Sequence, residues 1–265
     1  MKRTIAGLLS VFYLTQVTAV VIVALVTVPS PDPAEPRQPR IRYLEGGETI
    51  ASSLYIYAFL MAGVALIAVA MKLGLGRFLF RNLETLIVLV SLFLLLVSIY
   101  PPHPLAWLGL AVAVAAFKRI YPHWLLVTGL SILTAATVGG IMGISLGVLP
   151  IIALMACLSV YDVVAVRFST HMSNVVENVR GSHSSFLVEM PGMESAVGIS
   201  DLAVPSMFVA SNALSNSAMS ALWVATGGAF GLGLAIVISG RKGMVPALPF
   251  VFVGSMAAYL SMIVL

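Results

Sequence analysis

Two aspartates stand where apolar sequence should exclude them. Asp201 lies in the run 196–212 (AVGISDLAVPSMFVASN), and Asp162 lies in LMACLSVYDVVAVRF. A carboxylate at membrane depth costs about 2.5–3.5 kcal/mol on insertion scales, so such residues face a polar cavity or one another and mark functional sites. Two buried carboxylates held close together cannot both ionise cheaply, and they retain one proton between them. In an aspartic protease, that arrangement lets one carboxylate activate water while its partner protonates the scissile carbonyl oxygen. A proton-coupled transporter would use the same buried acids as a relay, so the pair alone leaves both chemistries open.

The elements that must hold these acids follow from composition. Of 265 residues, 60% are hydrophobic and 9% charged, against roughly 25% charged in a soluble domain. A spanning helix needs about 20 apolar residues, so the chain has room for about eight to ten spans and no separate soluble domain. Barrel strands would alternate polar and apolar, whereas these runs are apolar all round, which makes the chain an all-α, multi-pass membrane protein. Nine spans are expected, at about 5–28, 50–71, 83–100, 105–117, 124–144, 148–166, 196–212, 217–239 and 244–265. They form one membrane domain over 1–265, with spans one to six within 5–166, a polar connection over 167–195 and spans seven to nine within 196–265. Five prolines between Pro29 and Pro39 forbid a helix after the first span. Gly227 and Gly231 form a small-xxx-small pair that lets helices approach closely. The lone Cys157 has no internal disulfide partner and reads as a small packing residue.

The net charge of +4 reports orientation and implies no nucleic-acid partner. With the N-terminus inside, Lys2, Arg3, Lys72, Arg77, Arg81, Lys118, Arg119, Arg167, Arg180, Arg241 and Lys242 fall in cytoplasmic segments. Arg37, Arg40 and Arg42 fall outside, so eleven stand against three of the fourteen Lys and Arg. The positive-inside rule then predicts the N-terminus inside and the C-terminus outside. Spans six and seven run antiparallel, and each acid lies five residues from the cytoplasmic edge of its span, about 7–8 Å deep. Equal depth on successive helices is what a shared site requires. Pro246 and Pro249 lie four to seven residues after Lys242, at about the same depth, and their missing N–H groups leave helix carbonyls without partners.

Tyr161-Asp162, Gly198-Ile199-Ser200-Asp201 followed by Pro205-Ser206, and Pro246-Ala247-Leu248-Pro249 resemble the YD, GxGD and PALP motifs of the presenilin and signal peptide peptidase family. Those proteins are nine-span intramembrane aspartyl proteases with these motifs on spans six, seven and nine. The resemblance implies a presenilin-like bundle that hydrolyses peptide bonds in transmembrane segments or remnant signal peptides. It assigns catalysis to Asp162 and Asp201, and places Tyr161, Gly198, Ser200, Pro246, Ala247, Leu248 and Pro249 at the substrate. Ser200 stands where the family has a second glycine; serine is nearly as small, and its hydroxyl is in reach of a neighbouring carboxylate. The chain looks like a compact archaeal or bacterial homologue acting in a prokaryotic plasma membrane, as a single chain or a homo-oligomer.

Other chemistries lack their residues. No HExxH zinc motif is present, and His103, His123, His171 and His183 all fall in connections or at interfaces, so neither metal nor cofactor is expected. No GxSG serine motif stands in a span, and the inverted repeats common in transporters are not evident. With Cys157 replaced, single cysteines at Gln38 and Ser184 should react with an impermeant thiol reagent from the outer and the cytoplasmic side respectively. The opposite pattern would reverse the predicted orientation.

Overall fold

The computed structural model describes residues 2–28, 38–39, 49–72, 76–168, 187–188, 197–242 and 245–264. Over these it is helical, apart from two small antiparallel strand pairs and short connections between helices. The helices are α1 (Lys2–Val26), α2 (Ile50–Lys72), α3 (Gly76–Ile99), α4 (Pro104–Ile120), α5 (Trp124–Ser145), α6 (Val148–Phe168), α7 (Ile199–Ser215), α8 (Ala218–Lys242) and α9 (Leu248–Val264). Strand β1 (Thr27–Val28) pairs with β2 (Gln38–Pro39), and β3 (Leu187–Val188) pairs with β4 (Val197–Gly198). Within α1, α3, α5, α6 and α8 lie apolar stretches long enough to cross a membrane, and α9 is a shorter apolar helix. Most of the polar connection 167–195, including His171 and His183, and most of the proline-rich loop lie outside the described residues.

Several boundaries differ from those the sequence suggests, each for a local reason. The first helix stops at Val26 rather than Val28, because Pro29 disfavours helical geometry in the residue before it and Thr27–Val28 turn instead into the strand pair. The fourth helix is 17 residues long, about 26 Å at 1.5 Å per residue, not the 13 of its apolar run. It continues through Lys118, which is buried and ion-paired with Glu84 of α3, so a charge counted as a boundary is packed between two helices. Arg119 also donates to Asn82 Oδ1 at 3.3 Å. The third helix begins at Gly76, ahead of the apolar run at Leu83. The seventh begins at Ile199 rather than Ala196, since Val197 and Gly198 are in β4, and the ninth begins at Leu248 rather than Met244.

At the centre, α1 packs against α5, α7 and α8, while α9 lies on α8 and α6, α2 on α6 and α3, and α4 on α3. Phe208, Leu154, Met155, Ile151 and Val224 form one fully buried cluster joining α6, α7 and α8. Leu8, Phe12, Leu202, Leu232 and Val251 belong to a second, joining α1, α7, α8 and α9.

Two glycine seams bring backbones together. On α8, a Cβ at Gly227 or Gly231 would run into the Gly254 or Phe250 carbonyl of α9, which is the close approach that the small-xxx-small pair predicts. A second seam, on α5, sets Gly139 and Gly143 against α7: a Cβ at Gly143 would meet Ala210 Cβ at 2.6 Å, and one at Gly139 would meet the Ala203 carbonyl at 2.7 Å. Between membrane helices there is little hydrophobic gain, so such van der Waals seams carry much of the association.

Gly143→Ala should therefore lower the stability of the detergent-solubilised protein by about 1–3 kcal/mol, the usual cost of overpacking. Gly129→Ala, on the same helix with nothing within 4 Å of the added methyl, should leave the thermal midpoint unchanged or slightly raised. Equal midpoints for the two variants would show that the seam does not hold α7.

Candidate active site

Asp201 sits in the first turn of α7, whose N-cap is Gly198 with φ −69° and ψ 145°. That backbone is open to any residue, so the need for glycine at 198 is spatial. A Cβ there would stand 3.3 Å from Asp201 Oδ2 and 3.4 Å from Ser200 Oγ. The space matters because the Asp201 carboxylate folds back to accept the Gly198 N–H, the reach from third helical position to N-cap seen in a capping box. Ahead of it, β4 fixes the entry of the chain through pairing of Gly198 with Leu187. Behind it, Pro205 lies four residues on and has no N–H, so the Asp201 carbonyl loses its helical partner.

Asp162 lies on α6, six residues before the helix ends at Phe168. Its carboxylate reaches α9: Leu248 N–H donates to Oδ2 at 3.2 Å, and the Ala247 N–H also bonds the carboxylate. These are among the orphan donors that every helix N-terminus leaves, and Asp162 satisfies them from another helix. Asp162 and Asp201 lie within electrostatic reach of each other, and both are only partly buried by protein.

The remaining sequence-chosen residues distribute around this pair. Tyr161 stands beside Asp162 and close to Tyr57 of α2, a neighbour that sequence spacing gives no hint of. Ser200 is exposed; the tight position is Gly198, not Ser200, so the substitution of serine for a second glycine meets no packed helix. Pro246 and Ala247 are irregular chain rather than the first turn of a helix, while Leu248 and Pro249 open α9. The segment 246–249 thus contacts a catalytic candidate directly, beyond the role at the substrate that its position suggests. His103 flanks α4, and His123 caps α5 by accepting the Leu125 N–H at 3.4 Å, both in connections as expected.

Two carboxylates within charge reach on adjacent helices, in a bundle apolar enough to lie in lipid, fit the class of membrane-embedded aspartic proteases. The chain belongs to one family of that class, described as signal-peptide peptidase, presenilin aspartyl protease, whose pattern matches residues 9–195. It is accordingly an intramembrane aspartic endopeptidase. The match includes Tyr161-Asp162 and stops short of Asp201 and of 246–249. Two solved structures, both of a presenilin family intramembrane aspartate protease, in C222 and P2 space groups, share the fold. Their TM-scores are 0.69 and 0.68 at 23% and 24% identity, with 97% of this chain and 97% and 96% of theirs covered. No curated protein matches the chain. Nothing in the family or among these structures supports the transporter alternative.

Because the added methyl of Gly198→Ala would press on the Asp201 carboxylate, kcat for a labelled transmembrane peptide should fall about tenfold, as small misplacements of reacting groups do. The thermal midpoint should hardly move. A variant with unchanged kcat would show that this cap geometry does not tune the acid.

Proposed function

We propose that Asp162 and Asp201 are the catalytic pair and that they share one proton while hydrolysing peptide bonds inside transmembrane segments or remnant signal peptides. The ionised carboxylate takes a proton from water as the oxygen attacks the scissile carbonyl carbon, and the protonated partner gives its proton to the carbonyl oxygen. Collapse of the tetrahedral adduct breaks the C–N bond, and a proton passes to the departing amine. The observation that carries this reading is the contact of Asp162 with the Ala247 and Leu248 N–H groups, with Asp201 in charge reach on the neighbouring helix. Those donors orient one carboxylate, and the Gly198 N–H orients its partner.

The substrate helix must unwind first, since its carbonyls are engaged in its own ladder and lipid excludes water. In this proposal the segment Pro246–Pro249, irregular up to Ala247 and helical from Leu248, accepts it. The Ala247 and Leu248 N–H groups belong to Asp162 and the Ala247 carbonyl accepts the Val251 N–H at 3.2 Å, so strand-like pairing with the substrate main chain falls to the carbonyls of Val245 and Pro246. Tyr161, Gly198 and the exposed Ser200 line the approach. The chain is taken to be a single nine-span domain of a prokaryotic plasma membrane, with the N-terminus and the site on the cytoplasmic half.

Asp162→Asn and Asp201→Asn should each reduce cleavage of a labelled transmembrane peptide to background while the protein keeps its melting behaviour. The wild-type rate should follow a bell in pH whose two limbs belong to the pair, because only the singly protonated dyad holds both a base and an acid. Full cleavage by either variant would remove that residue from the mechanism.

A further inference from the structure

Gln16 is an unusual choice for the middle of α1. Its side chain is fully buried within an apolar helix, where a leucine or methionine would fill the space without bringing an amide out of water. Its Nε2 donates to the Leu202 carbonyl at 3.3 Å, and its Oε1 is buried with no partner among the described residues. A half-satisfied buried amide is costly, and the bond it does make falls on the residue that follows Asp201.

That turn of α7 is where the helix is weakest. Pro205 withholds an N–H from the Asp201 carbonyl, so the ladder is one bond short in this turn. Other groups tie down the two carbonyls that follow that of Asp201. The Ser206 hydroxyl donates to the Leu202 carbonyl at 2.7 Å, Gln16 adds a donor from α1, and Gly139 of α5 lets the Ala203 carbonyl approach on another side.

We infer that Gln16 is a positioning residue for catalysis: its amide fastens the proline-weakened turn of α7 to α1 and so sets where the Asp201 carboxylate stands relative to Asp162. The inference rests on the dyad reading. It adds a contribution from the first helix, which carries none of the family motifs. Of the helices packed on α1, α5 carries no ionisable side chain, α7 carries Asp201, α8 carries Arg241 and Lys242 at its C-terminal end, and α3 carries Arg77, Arg81 and Glu84 near its start, so Asp201 is the titrating neighbour against which the Gln16→Glu profile is read. On α1 itself Tyr13 is exposed, and Lys2 and Arg3 are at the far end.

The test uses the full-length purified protein and a labelled transmembrane peptide. Gln16→Met keeps length and volume but loses the donor, so kcat should fall about tenfold with KM unchanged and the melting temperature retained. Gln16→Glu can donate to the Leu202 carbonyl only while protonated, so its activity relative to wild type should be near one at acid pH and fall as pH rises. Wild-type kcat in Gln16→Met, or a Gln16→Glu profile parallel to wild type, would overturn the assignment. Loss of melting signal and activity together in both variants would make Gln16 a packing residue and overturn it equally. The dyad is judged separately, since Asp201→Asn retaining activity would sink the dyad whatever Gln16 does.

Discussion

Helix beginnings buried in an apolar medium present N–H groups that neither water nor their own ladder can satisfy, and the site depends on how this bundle meets that need. Two helices, α7 and α9, begin beside the candidate site, and the acceptors at both starts are the two carboxylates proposed for catalysis. Asp201 turns back onto the N-cap of its own helix, while Asp162 reaches across from α6 to the first N–H groups of α9. Positive ends of helix dipoles favour negative charge there. The capping that makes these helix starts tolerable is therefore also what orients the acids, and fold and chemistry draw on the same hydrogen bonds.

Such caps work only if the helices carrying them are held in register, and the glycine seams do this. One, between α5 and α7, holds the Asp201 helix through Gly139 and Gly143; the other, between α8 and α9, holds the PALP helix through Gly227, Gly231 and Gly254. The Asp201 helix and the helix that caps onto Asp162 are thus each held by backbone-to-backbone contact with a neighbour. Close contact of that kind allows little sliding or rotation, which suits a site whose reacting groups come from separate helices. Where Pro205 weakens one of these helices, Gln16 and Ser206 supply donors to the turn.

The sequence by itself determined the membrane class, the extent of most helical runs, the two misplaced acids and the seam at Gly227 and Gly231, because lipid imposes length and apolarity along the chain and penalises every exception. It misjudged the starts of α7 and α9, where strand pairing and proline geometry override hydropathy, and it took Lys118 for a boundary charge although Glu84 draws it into the bundle. The Gly139 and Gly143 seam was present as a pattern in the fifth run but was not separable there from ordinary small residues. Tertiary structure alone decided that the PALP backbone bonds Asp162, that Gly198 and not Ser200 is the tight position, that Tyr161 comes within electrostatic reach of Tyr57, and that Gln16 reaches Leu202. The physical reason is that helices apolar on every side carry no polar stripe to show which face turns inward, so their mutual rotation, and with it every contact across the site, is fixed only by packing.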